Sequence, residues 1–266
     1  MGHVTAIANQ KGGVGKTTTA VSLAAALAIA ERPTLLIDID PQGSATKGLG
    51  LKAGPAGDMY SVLAGEVALS EILVPTELQH LSVAPASRDL VGVELELVMS
   101  EGREARLKRA LEPIRDRFQF TIIDCPPSLG ILTVNALVAA DGLLIPVQCE
   151  YLALEGVSQM VETLQRIQAA MNPDLVLDGV LLTMFDERTN LARQVVNDIR
   201  EYFKEKVFKT IIPRNIRLGE APSFGRPIML YDIRSKGSET YLNLAREVIR
   251  HNEKTSARQR TQQPHP

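Results

Sequence analysis

The chain has 266 residues, 45% of them hydrophobic, a formal net charge of −2, two cysteines and no tryptophan. That length fits one large α/β domain whose core needs neither disulfide nor structural metal. Cys125 and Cys149 form no Cys-x-x-Cys pair, which excludes a disulfide scaffold and a zinc finger and points to a reducing cytosol; nothing reads as a secretory leader or as the ~20-residue apolar run of a membrane helix.

The first element is the apolar run Val4-Thr5-Ala6-Ile7-Ala8, read as a buried strand. It leads into Lys11-Gly12-Gly13-Val14-Gly15-Lys16-Thr17-Thr18, and an alanine-rich helical pattern then spans Thr19 to Ala30. Strand, glycine loop and helix start make a phosphate cradle, in which backbone N–H groups wrap the oxygens and the helix N-terminus adds partial positive charge. Gly12, Gly13, Val14, Gly15, Lys16, Thr17 and Thr18 are the expected nucleotide-binding residues. Lys16 reaches the β/γ-phosphates and the Thr17 hydroxyl sits on Mg²⁺. Gln10 stands where the common phosphate loop has its first glycine, and a second lysine, Lys11, opens the loop.

Thr34–Asp38 is the second strand, running into Asp38-Ile39-Asp40-Pro41-Gln42-Gly43. Alternation puts Asp38 and Asp40 on one face, where carboxylates orient water or hold Mg²⁺ through water, and Asp40 is the candidate for positioning the attacking water. Asp40-Pro41 equally suits a simple turn. Residues 49–77 are irregular, with short helices, and Leu81–Ala84 is the third strand. The fourth, Phe120–Asp124, ends in one carboxylate before Cys125-Pro126-Pro127-Ser128. That is the layout of a Walker B aspartate holding the Mg²⁺ water shell across from Thr17, or of a strand-end helix cap.

Strands are further expected at 143–147, 179–183 and 207–212, and helices at about 103–117, 130–139, 155–171, 190–204 and 236–252. Nearly continuous Val/Ile/Leu strands indicate a doubly wound α/β fold, a mostly parallel sheet with helices on both faces. Thr210 to Asn215 reads as a loop at the sheet edge, plain or cupping an adenine ring with its backbone groups. A single domain over 1–254 is expected, with 255–266 a polar disordered tail. Residues 1–184 carry 13 basic and 21 acidic side chains, residues 185–266 carry 16 and 10. A basic last third is either a solvated surface or a polyanion-binding face.

On these motifs, with Pro146-Val147-Gln148-Cys149-Glu150, Ile212-Pro213-Arg214-Asn215 and Ser223-Phe224-Gly225-Arg226-Pro227, the chain resembles the ParA/Soj-type chromosome-partitioning ATPases of the deviant Walker A class, over roughly residues 2–250. The resemblance implies a P-loop ATPase, slow and partner-stimulated, using ATP and Mg²⁺. It implies a homodimer sandwiching ATP, with Lys11 acting in trans on the partner's phosphates and Gly12 at the close approach between protomers. Lys11, Lys16 and Asp40 are then the catalytic residues, Thr17 and Asp124 the Mg²⁺ site, and Pro213 and Asn215 the adenine-side loop.

Nonspecific double-stranded DNA and a ParB-type centromere-binding protein are the implied partners, and the implied location is cytoplasmic and nucleoid-associated. Arg188 and Arg217 match DNA-binding positions, with Arg214, Arg234, Lys236, Arg246 and Arg250 as further candidates; with no base-reading motif, phosphate contacts and steep salt dependence are expected. The alternative is a MinD-like membrane-associated division-site ATPase, which needs a C-terminal amphipathic helix; Glu253 to Arg260 has almost no apolar face. Neither cysteine matches the cluster ligands of nitrogenase iron protein, and both read as small buried apolar residues.

Overall fold

The computed structural model describes residues 2–97 and 100–262, with side chains as far as Glu253 except that of Glu94. Seven strands are present: β1 (His3–Ile7), β2 (Thr34–Asp38), β3 (Val74–Pro75), β4 (Leu81–Ala84), β5 (Phe120–Asp124), β6 (Gly142–Gln148) and β7 (Val176–Thr183). They form one sheet in the order β3-β4-β2-β5-β1-β6-β7, parallel throughout except for the β3–β4 pair. Among the central strands β2 and β5 are buried at every residue and β1 at all but His3, as a sheet covered on both faces requires.

Side-chain alternation divides the core in two. On one face Ile7, Leu36 and Ile122 pack under the helices Lys16–Ile29 and Lys236–Gln262. On the other, Leu35, Ile37 and Ile123 pack with Met59, Leu90, Leu107, Leu137, Met160 and Ile199, each from a different helix. From β1 the chain crosses to β2 on one side, and after β5 it crosses back over β1 to β6 on the other. The strand order therefore reverses at β1, and a crevice opens at its carboxyl end, where the glycine loop begins.

Three expectations are corrected. Residues 207–212 are not a strand: Val207 forms an isolated bridge with Val180, and the segment bonds to β7 through Phe208 N–H to Val180 O at 3.0 Å and Ile212 N–H to Leu182 O at 2.9 Å, without a continuous ladder. The Glu247 carboxylate takes the N–H groups of Lys209 and Thr210, and Pro213 has none to give, so no ladder can run through. The seventh strand is instead the two-residue antiparallel edge β3. The helix expected at 103–117 is broken into a 3-10 turn at Arg103–Ala105, a helix at Arg106–Leu111 and a second 3-10 stretch at Glu112–Arg117. Pro113 lacks the N–H that a continuous helix would need there.

The last helix extends to Gln262 rather than ending near 252, so the tail expected from Thr255 is helical that far. Lys254, Ala257, Arg258, Gln259 and Arg260 are all good helix formers, and no proline intervenes before Pro264. Residues 263–266 lie outside the described residues. This helix runs alongside the first: Tyr241 and Thr19 hydroxyls are 3.1 Å apart near the glycine loop, and Arg32 pairs with Glu253 at 3.4 Å at the other end.

A polar clamp closes the amino ends of the strands. The Asp178 carboxylate of β7 passes over Gly142 to accept from Thr5 and pair with His3 Nε2, both at 2.9 Å. A Cβ at residue 142 would overlap that carboxyl group. Asp141 accepts from Val4 N–H at 2.8 Å and pairs with Arg115.

Candidate functional site

The glycine loop leaves β1 through Asn9, which is buried and donates to the carbonyl of Pro146 at 2.8 Å while accepting from Lys11 N–H at 3.0 Å. Gly15 (φ 88°) takes the left-handed backbone that starts the Lys16–Ile29 helix, a conformation costly for any other residue. The far wall is fixed by Thr183 at the end of β7, whose hydroxyl donates to Val14 O at 2.9 Å. Lys16 is buried and donates to the Lys11 carbonyl at 3.1 Å. Burial lowers its pKa, while the charges of Asp124 and Asp40 act to raise it.

The three carboxylates beside it differ sharply. Asp124 is wholly buried, and no described group meets hydrogen-bond geometry at either of its oxygens, although the Thr17 side chain lies near enough to act on it. Burial raises its pKa well above the usual range, with Asp38 and Asp40 adding repulsion and the neighbouring Thr17 side chain and Lys16 acting the other way. An orphaned buried carboxylate is costly unless something outside the protein completes it. A hydrated divalent cation, reached also by the Thr17 hydroxyl, meets that need, so the donor set fits Mg²⁺.

Asp38 lies beside Asp124 in register. Both its oxygens are taken, by Thr46 N–H (2.8 Å), the Thr46 hydroxyl (2.7 Å) and Asp40 N–H (3.2 Å). Burial first, then the Asp40 charge, raise its pKa to about 6 against these bonds. Protein groups therefore engage both oxygens of Asp38, unlike those of Asp40. Asp40 begins a turn, its Oδ1 accepting from Gln42 N–H at 2.9 Å and its carbonyl from Gly43 N–H at 2.8 Å. Its Oδ2 accepts no hydrogen bond among the described residues. The turn and the catalytic readings of Asp40 are thus compatible.

Lys11 and Gly12 project at the mouth. The Lys11 ammonium is 3.9 Å from the Glu150 carboxylate, in the loop after β6. A Cβ at Gly12 would meet nothing within 4 Å. On the other side of the loop, Gly15, Thr18, Thr183, Pro213, Asn215, Glu220 and Tyr241 line a cleft of about 530 Å³. Asn215 accepts from Arg217 N–H at 2.9 Å and caps the short helix Ile216–Glu220. The structure thus brings Pro213 and Asn215 to the glycine loop.

The basic candidates divide into two groups. Arg188, Arg214, Arg217, Arg234 and Lys236 are exposed near the carboxyl-end crevice; Arg246 and Arg250 line a separate cleft with Glu205, Lys206, Lys209 and Glu247 toward the opposite end. Several are already neutralised. Arg188 chelates Asp186 at 2.6 and 2.8 Å, holding that carboxyl at about pKa 2. Arg217 lies 2.9 Å from Glu220 and 3.6 Å from Asp232, and Lys236 2.9 Å from Glu239. Both cysteines are free and buried, and burial pushes Cys125 well above its ordinary pKa and Cys149 up to about 12, so both are inert apolar residues.

Asn9 and Glu150 entered the sequence reading only inside quoted motifs, with no role assigned, and Thr46 and Thr183 were not singled out. Each acts through a partner distant along the chain, and only the position of Asn9 between a strand and a glycine loop offered a local signal.

The model of the AAA domain family matches residues 2–177. The chain is 56% identical to the chromosome partitioning protein ParA of Myxococcus xanthus, over 98% of this chain and 92% of that one. It is 55% identical to the sporulation initiation inhibitor protein Soj of Bacillus subtilis, over 93% and 98%. Among solved structures it resembles cobyrinic acid a,c-diamide synthase from Mycobacterium smegmatis with bound ADP and magnesium, at TM-score 0.83 and 41% identity, covering 95% of this chain and 96% of that one.

Proposed function

Because the chain belongs to the ParA/Soj family of chromosome-partitioning ATPases, we propose that it is an ATP-driven switch that pairs on ATP, holds DNA without sequence preference and lets go on hydrolysis. The observation carrying this reading is the carboxylate of Asp124, buried and unpartnered beside Lys16 and Thr17 at the strand-order reversal. Bound magnesium supplies charge neutralisation on the phosphates. Lys16 and the loop N–H groups bind and orient the nucleotide, Thr17 and Asp124 hold the cation and its waters, and Asp40 orients the attacking water.

Lys11 and Gly12 stand at an open face where a second protomer can approach, Lys11 exchanging Glu150 for the partner's phosphates. Pairing doubles the basic face, so nucleotide state sets DNA affinity through assembly. Turnover is slow until a ParB-type centromere-binding protein stimulates it, and the protein works in the cytoplasm on the nucleoid.

No described helix is long and apolar enough to cross a membrane. The side chains of 254–260, on which most of a MinD-like membrane reading turns, lie outside the described ones. The deciding experiment measures ATP turnover alone, with DNA, with the ParB-type protein and with both. Greatest stimulation by both together supports partitioning; no response to either, with ATP-dependent sedimentation on liposomes, overturns it.

A further inference from the structure

Asp38, Thr46 and Ala86 form a buried polar chain directly behind Asp40. The Thr46 hydroxyl donates to Asp38 Oδ2 at 2.7 Å and accepts from Ala86 N–H at 3.0 Å, joining the end of β2 to the segment after β4. Asp38 Oδ1 accepts from Asp40 N–H at 3.2 Å, and Asp38 Oδ2 also accepts from Thr46 N–H at 2.8 Å. On the far side of Asp40, its own Oδ1 and carbonyl close the turn onto Gln42 and Gly43, and Lys47 ties to the Gln42 carbonyl at 2.7 Å. The Asp40 backbone is therefore fixed both before and after the residue, which leaves the rest of its carboxylate as the group presented to the crevice.

We infer that Asp38 and Thr46 are positioning residues for hydrolysis, holding Asp40 in register with the glycine loop while themselves touching neither nucleotide nor cation. The assignment rests on the reading that Asp40 orients the attacking water. Both Asp38 oxygens are occupied and Thr46 is buried, so neither can serve the substrate directly. A buried three-donor carboxylate is a demanding arrangement, and a well-packed apolar pair would fill the same space without the desolvation cost. What the polar pair adds is direction: an ionised carboxylate accepts at both oxygens and so dictates where Asp40 N–H and the Ser44–Gly48 helix must lie. Misplacing a reactive group by about 1 Å can cost about 100-fold in rate with little change in binding.

The test uses the full chain and compares ATP turnover with binding of a non-hydrolysable ATP analogue. Thr46→Val, which keeps the shape and removes the hydroxyl, is expected to lower kcat by about tenfold or more with analogue affinity held within about twofold. Asp38→Asn is expected to do the same, and Thr46→Ser to keep near-native turnover. Should Thr46→Val fail to fold, Asp38→Asn, isosteric with the native side chain, decides on the same two readouts. Wild-type turnover in Thr46→Val, turnover in Thr46→Ser as low as in Thr46→Val, or analogue affinity falling in step with kcat each overturns the inference. Asp40→Ala is measured in parallel. If it hydrolyses ATP at the native rate, the hydrolytic role of Asp40 fails; if it is inactive while Thr46→Val is active, the positioning role alone fails.

Discussion

The Lys16 ammonium donates to the carbonyl oxygen of Lys11, 3.1 Å away, so the side chain proposed to bind phosphate also braces the loop that would hold the phosphates. Lys16 is buried among Asp124 and Asp40, and its positive charge offsets theirs. Lys16→Gln is expected to abolish ATP binding, weakening it at least about 100-fold, the scale of removing a charged partner from a buried site. Titration with a fluorescent ATP analogue checks this; native affinity in the variant would remove Lys16 from the site.

Asp40→Ala separates binding from turnover. It deletes a carboxylate at the crevice without touching the glycine loop, so ATP binding and ATP-dependent DNA retention are expected to persist while hydrolysis falls at least about 100-fold. A filter-binding assay beside a phosphate-release assay tells the two apart.

Gly12→Val tests pairing. Nothing lies within 4 Å of a Cβ there, so the monomer should keep its melting temperature and its ATP affinity, a surface change being worth no more than about 0.5 kcal/mol. The added side chain is expected to block ATP-driven dimerisation, read as mass by light scattering with a non-hydrolysable analogue. A stable variant dimer would show that protomers do not meet at this loop.

Arg188 has a carboxylate already bound, which sharpens the DNA prediction. Arg188→Ala removes one cation and exposes the Asp186 charge, so its cost to DNA affinity should exceed that of the Arg188→Ala/Asp186→Asn pair. Arg217→Ala should likewise expose Glu220. If both arginines contact phosphates, each loss lowers the salt slope of DNA binding by about one. Unchanged slopes in both would place the DNA elsewhere.

The clamp at the other end of the sheet makes stability depend on pH. Burial alone would lower the pKa of His3, but its hydrogen bond to Asp178 and the charges of Asp178 and Asp141 outweigh that and the opposing Arg115, leaving it raised. His251, on the last helix, lines a small cavity together with His3 and Asp178. A raised folded-state pKa stabilises fully below the unfolded value, about 6.5, and the gain is lost as pH rises through the folded value. Urea denaturation should show a wild-type advantage over His3→Gln that is largest near pH 5.5 and shrinks above neutrality; a gap independent of pH would rule the clamp out as its source.

Much of this architecture was legible in the chain because a parallel sheet writes its strands as uninterrupted apolar runs: β1, β2, β4, β5, β6 and β7 all lie where such runs are. The glycine loop and the lone carboxylates Asp40 and Asp124 were legible for a related reason, since each sits at a strand end where polarity changes abruptly. What escaped were features set by distant partners. Residues 207–212 have the composition of a strand, yet Glu247, far along the last helix, captures the N–H groups a ladder would use. Asp38 shared a strand face with Asp40 in the sequence, but only the fold brings the Thr46 N–H and hydroxyl onto its Oδ2 and the Asp40 N–H onto its Oδ1. The β3 edge, two residues containing a proline, carries no pattern to detect.

If the proposed basic face holds DNA, the length of the last helix sets a ruler for it. Lys236 and Arg250 are fourteen residues apart on it, about 21 Å at the rise of ~1.5 Å per residue. A duplex touching both basic groups of one protomer would need about six base pairs at ~3.4 Å each, and a paired molecule engaging both copies side by side about twice that. Full affinity should then appear only above a threshold oligonucleotide length near a dozen base pairs, whatever the sequence, whereas engagement of the crevice-end group alone would tolerate much shorter DNA.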